Sequence, residues 1–246
     1  MKEKVLLIAG CSHSCGSEID GTEDSQYNRQ HSFGNQLANK LSRRAINIGS
    51  NASTNQSIAR SILDWVNSKY DAGSMDLMVL VAWTESSRLE FPAEWKYWYE
   101  RANGATDWMS MVSRDYARLN PAWEPGSEHE KKFNNIYKDL IVNHPVFVET
   151  ITANLVLQIE YLLKYKSIDY VMCNTMYMFT KNKHTEFFID LIDKTNYLNI
   201  ADNDLTFWEK YRKLGYTNPK AKYWHHNEQA HSDFANILLD FIQKRT

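Results

Sequence analysis

The chain has 246 residues, 43% of them hydrophobic and 24% charged, with a formal net charge of -2. That balance belongs to an ordinary globular chain and offers no basic surface for nucleic acid or an anionic membrane. No apolar run is expected to span a bilayer, and the short one behind Lys2 and Lys4 does not read as a secretory signal, so a cytoplasmic protein starting at Met1 is expected. The cysteines, Cys11, Cys15 and Cys173, are too few for a disulfide framework. The Cys11, His13 and Cys15 spacing matches no zinc pattern, so neither a metal nor a cofactor is expected.

Val5 to Ala9 is a short apolar run that reads as a buried strand, and it passes straight into Gly10-Cys11-Ser12. A polar loop, Gly16 to Gln30, follows. It is long for a strand-to-helix connection, as functional loops often are. Phe33, Leu37 and Leu41 repeat every four residues and predict a helix over 32–41, with Arg43 and Arg44 near its C-terminal end. Ala45 to Ile48 reads as the second strand, and Gly49 to Asn55 as a second small, polar loop. Ile58, Ile62, Leu63, Trp65 and Val66 give the next helix its apolar stripe, and Leu77 to Ala82 is a third strand. Alternating strands and helices predict an α/β, three-layer α/β/α fold on one parallel sheet.

The regularity stops over about 90–130, which holds Trp95, Trp98, Trp108 and Trp123 and the prolines Pro92, Pro121 and Pro125. This stretch reads as an insertion or lid over the C-terminal edge of the sheet, or as a minor aromatic core. A helix is expected over 131–142, then a long one over 146–166 behind Pro145, with Val148, Ile151, Leu155, Ile159, Leu162 and Leu163 as its stripe. Asp169 to Cys173 is a fourth strand. Helices near 186–193 and 205–214 come next, then the loop Tyr223 to Asn227 and a last helix that buries Phe234, Ile237, Leu238, Phe241 and Ile242.

In a parallel sheet the loops Gly10 to Ser14, Gly49 to Asn55 and Trp83 to Arg88 share one edge, the edge where open α/β sheets bind ligands. With Tyr223 to Asn227 they bring together a serine, small residues with backbone N–H groups, and adjacent histidines. A serine nucleophile needs a base within hydrogen-bond reach and donors for the oxyanion, and these loops contain both residue types.

The order of these blocks resembles the SGNH (GDSL-like) hydrolases, whose sheet is flavodoxin-like. Gly10-Cys11-Ser12 stands where that family has Gly-Asp-Ser. Asn47, followed five residues on by Ala52, stands for its Asn and Gly. Ala82-Trp83-Thr84-Glu85 stands for Gly-x-Asn-Asp, and Lys222-Tyr223-Trp224-His225 for Asp-x-x-His. The resemblance implies a single domain over 1–246 and a serine hydrolase of esterase type acting on a small ester. Ser12 would be the nucleophile and His225 the base. The N–H groups of Ser12 and Ala52 and the Thr84 hydroxyl would be the oxyanion donors. His231 is the alternative base, while His13 and His144 are expected in structural or surface roles. Lys222 occupies the place of the acid, so the acid is expected at Glu228, Asp202 or Asp204, or the site is a bare dyad. The substituted blocks also suggest a second reading, a degenerate domain that binds a small ligand or a protein without turnover.

Overall fold

A computed structural model describes residues 2–92, 116–119, 135–139, 141, 144–177, 179–180, 183–200 and 206–245. Its centre is a five-stranded parallel sheet. In chain order the strands are β1 (Glu3–Gly10), β2 (Arg44–Asn47), β3 (Met75–Trp83), β6 (Asp169–Asn174) and β7 (Tyr197–Leu198), and in space they run β2-β1-β3-β6-β7. All four pairings are parallel. With the sheet strands counted alone this is the flavodoxin-like order 2-1-3-4-5, which reverses direction beside β1. The expected strands are present, and β7 is an addition of only two residues.

Alternation along the central strands produces the three layers. Val5, Leu7 and Ala9 of β1 and Leu77, Val79, Val81 and Trp83 of β3 face one side. There they meet Ile58, Ile62 and Val66 of α4 (Asn55–Ser68) and Val156, Ile159 and Leu163 of α5 (Pro145–Tyr165). Leu6 and Ile8 of β1 and Met78, Leu80 and Ala82 of β3 face the other. They meet Phe33 and Leu37 of α3 (Phe33–Lys40) and Phe234 and Leu238 of α8 (Glu228–Gln243). Each large side chain buried this way contributes roughly 1.5–3 kcal/mol. A β-strand buried on both faces cannot show polar alternation, which is why these segments read as continuous apolar runs.

Several expectations are corrected. Residues 16–30 are not all loop, since α2 (Gln26–His31) begins within them, and the Gly10 to Ser14 loop before them carries one helical turn, α1 (Ser12–Cys15). α5 is long and apolar enough to cross a membrane by length and composition, contrary to expectation. It is a layer of the core here, packing one face on the sheet and burying Glu149 and Glu160, with Glu160 ion-paired to Lys164 at 2.6 Å. Of the helix expected over 131–142, residues 135–139 are helical. Two shorter helices, α6 (Glu186–Leu191) and α7 (Phe207–Lys213), lie where expected. The aromatic stretch opens with β4 (Leu89–Pro92), which pairs antiparallel with β5 (Tyr116–Leu119). Trp95, Trp98, Trp108 and Trp123 lie outside the described residues, as do Asp202 and Asp204.

Candidate active site

β1 delivers Ser12 to the C-terminal edge of the sheet. Gly10 ends the strand where a Cβ would stand 2.6 Å from Ser14 Oγ and 2.7 Å from the Ala82 carbonyl oxygen, so the tight exit requires glycine. Cys11 caps α1, and Ser12 is its first helical residue. The first turn of a helix leaves its N–H groups without intrahelical acceptors, so the backbone around Ser12 presents donors beside its own hydroxyl. Asn47 holds this turn against the second loop: its amide donates to the Ser14 carbonyl at 2.9 Å, and its Oδ1 accepts from Gly49 N–H at 3.0 Å.

The loop before α8 brings in the histidine. His225 Nε2 lies 2.8 Å from Ser12 Oγ, and His225 Nδ1 lies 2.6 Å from Glu18 Oε2. Glu18 also accepts backbone N–H bonds from Lys222 at 2.8 Å and from Tyr223 at 3.0 Å. Burial raises the Glu18 pKa, but the bonds from His225, Tyr223 and Lys222 outweigh it and hold the carboxyl below its ordinary value. An ionised carboxylate only accepts, so Nδ1 carries the imidazole proton and Nε2 is left to accept from the Ser12 hydroxyl.

Glu18 is the carboxylate partner of His225 that sequence reasoning missed. It takes a left-handed backbone, φ 63, which aims its side chain back at the histidine loop. Asn218 ties the two loops together: its amide donates to the Glu18 and Ile19 carbonyls, and its N–H donates to the His225 carbonyl at 2.8 Å. The signal available was the long polar loop after the serine, which carries Glu18, Asp20, Glu23 and Asp24. Lys222, three residues before His225, meets Glu18 through its backbone N–H at 2.8 Å.

The alternative residues are placed elsewhere. Glu228 accepts from Tyr27 Oη at 2.7 Å and faces His31, away from His225. His231 is buried between Phe33 and Phe207, and its Nδ1 accepts from Phe33 N–H at 3.2 Å, so it braces α3 and does not face Ser12. Thr84 is wholly buried and lines no part of the cavity; Asn55 clamps its backbone from both sides. Its hydroxyl is buried and has no hydrogen-bond partner among the described residues. Ala52 does line the cavity, in a left-handed conformation with φ 55, where a glycine would be unstrained. His13 stacks edge-on against His225 with ring centroids 5.0 Å apart, and burial keeps it neutral. His144 precedes α5 and is exposed.

These groups share a cavity of about 390 Å³. Ser12, His13 and His225 are buried in it, Arg88, Met176 and Trp208 stand on its walls, and Tyr223 and the largely exposed Trp224 are at its mouth. Trp224 also has a left-handed backbone, φ 64, rare for a bulky residue and found where a site over-determines the chain. Among the described residues no cluster of metal-ligating side chains occurs.

No family model and no curated protein matches the sequence. Solved structures similar to it include a psychrotrophic esterase from Pseudoalteromonas sp., at 12% identity and TM-score 0.45, covering 98% of this chain and 97% of that one. A proposed lipolytic protein of the G-D-S-L family from Desulfitobacterium hafniense matches at 12% identity and TM-score 0.46, with both chains covered fully, 100% and 100%. A member of the lipolytic G-D-S-L family from Veillonella parvula matches at 9% identity and TM-score 0.42, covering 97% of each chain.

Proposed function

We propose that the protein is a serine esterase acting on a small ester through the triad Ser12, His225 and Glu18. The observation that carries this reading is the continuous line of hydrogen bonds from Ser12 Oγ through His225 to the Glu18 carboxylate, at 2.8 and 2.6 Å, opening on a cavity. Ser12 Oγ attacks the ester carbonyl carbon while its proton passes to His225 Nε2. The oxyanion forms against the N–H groups of Ser12 and Ala52. His225 then returns the proton to the leaving alcohol oxygen as the ester C–O bond breaks. A water molecule, deprotonated by the same nitrogen, splits the acyl-serine and restores the free hydroxyl.

A fluorophosphonate probe and 4-nitrophenyl acetate test this. Labelling at Ser12, abolished in Ser12→Ala and His225→Ala, is expected. The double variant should be little slower than either single one, because nucleophile and base act as a unit. A well-folded protein that neither labels nor turns over the ester would instead be the ligand-binding domain of the second reading.

A further inference from the structure

We propose that Arg88 is an anion anchor that makes this site select esters carrying a carboxylate, or a like anionic group, close to the scissile bond. The inference rests on the esterase reading above and names its substrate class. Arg88 ends the loop after β3 and lines the same cavity as Ser12 and His225. Its side chain is only 11% exposed, and a cation so far out of water needs a full set of acceptors. It lacks them. Glu85 engages it through Nε alone, at 2.6 Å, and the nearest partner of Nη2 is the Met176 thioether at 3.4 Å, a weak acceptor.

Other arginines here are bound differently. Arg29 grips Asp24, Arg44 grips Glu3 and Arg212 grips Glu209, each through two guanidinium nitrogens. On Arg88 the outer edge of the fork is left to the cavity, and Glu85 does not line that cavity. The outer edge of a guanidinium matches a carboxylate bidentately.

The other charges of the cavity leave this role to Arg88. The Glu18 carboxylate is occupied by His225 and two backbone N–H groups. Glu23 and Lys222 are exposed at the mouth, where solvent screens them and their opposite signs offset. His13 stays neutral and brings no competing charge.

The test compares esters matched in shape. On the alcohol side 3-acetoxybenzoate is paired with phenyl acetate, and on the acyl side 4-nitrophenyl hydrogen glutarate with 4-nitrophenyl valerate. The expected result is a kcat/KM ratio favouring the anionic member of at least one pair by about tenfold or more. That ratio should collapse to near one in Arg88→Met and be partly kept in Arg88→Lys, which retains charge without the fork. A ratio near one in the wild type, or one that survives Arg88→Met in folded protein, overturns the proposal. Should Arg88→Met fail to fold, a ratio unchanged in Arg88→Lys overturns it equally. Calorimetric titration with 3-acetamidobenzoate and with acetanilide separates the two readings. If no ester is hydrolysed, the esterase reading fails. Binding of 3-acetamidobenzoate over acetanilide that requires Arg88 still supports the anchor, and equal binding of the two refutes it.

Discussion

Replacing Glu18 by glutamine changes one atom and should disable the site. The carboxylate accepts from three donors: His225 Nδ1 at 2.6 Å, Lys222 N–H at 2.8 Å and Tyr223 N–H at 3.0 Å. An amide has one accepting and one donating end. With its NH2 toward the imidazole, Nδ1 must accept, the proton moves to Nε2, and His225 can no longer take the proton of Ser12. With its oxygen toward the imidazole, Tyr223 N–H keeps its acceptor at 3.0 Å, but the NH2 takes the place of the oxygen that Lys222 N–H meets at 2.8 Å, donor against donor. Bonds to a charged acceptor are worth about 1.5–3 kcal/mol each, so a measurable loss of stability accompanies either orientation. The wrong tautomer costs a serine triad up to about 10⁴-fold in kcat. Since the flipped amide partly preserves the tautomer, we expect Glu18→Gln to lose about 10³-fold, roughly 4 kcal/mol in the barrier. The assay is kcat on 4-nitrophenyl acetate well below the variant's Tm, with circular dichroism to establish folding. A Glu18→Gln enzyme within about threefold of wild type, beside an inert Ser12→Ala, would refute the triad and return the site to a dyad.

His231→Phe should leave kcat nearly unchanged yet destabilise the fold by about 1–3 kcal/mol, because Phe33 N–H loses its buried acceptor, a change read by urea titration. Acid should weaken the fold in a defined window. Burial holds His226 down to about 4 against 6.5 for the free side chain, so between those values the unfolded chain binds the extra proton and stability falls as pH drops. The loss over that interval is about 3 kcal/mol for this group, at about 1.4 kcal/mol per pH unit. Burial depresses His13 and His231 in the same direction. The lowered pKa of Glu18 adds a contribution that is present above the ordinary carboxylate value and lost as pH falls through the lowered one. Urea titrations at pH 7.5, 5.5 and 4.5 that show no decline would exclude these buried neutral imidazoles.

Much of the architecture was legible because it rests on periodicity. The runs at Val5 and Leu77 are buried on both faces, and the helices between them carry stripes spaced by three and four residues. β7 was not legible, since two residues have no period. The expected stripe of the long helix is turned slightly: Thr152 and Val156 are buried, whereas Ile151 and Leu155 are only half-buried, because an apolar helix offers several stripes and the neighbouring layer selects one. Ser12 and His225, 2.8 Å apart, could be picked out because each stands at an element–loop junction that matches a block of the resembled family. Glu18 could not. Four carboxylates crowd the loop after Ser12, and what singles out Glu18 is a left-handed backbone and the distant Asn218, neither of which leaves a spacing pattern. The burial of Thr84 was not legible for a related reason: Asn55 holds its backbone through two hydrogen bonds, and that contact crosses from one strand end to a helix of a different segment.

The bond from Ser12 to His225 joins residues 213 positions apart, and that from Glu18 to His225 joins residues 207 apart. Closing a loop of that length is entropically unfavourable until the intervening chain is ordered. β1, β2 and β3 are near neighbours in sequence and pair without closing that loop, whereas the histidine loop runs directly into α8, which packs on α3 from the far end of the chain. The site is thus a clasp between the two ends of the chain. On the proposed reading, recovery of ester turnover after denaturation should lag the return of helix and sheet signal, since two of the three residues sit near the start of the chain and the third arrives only with its last helix.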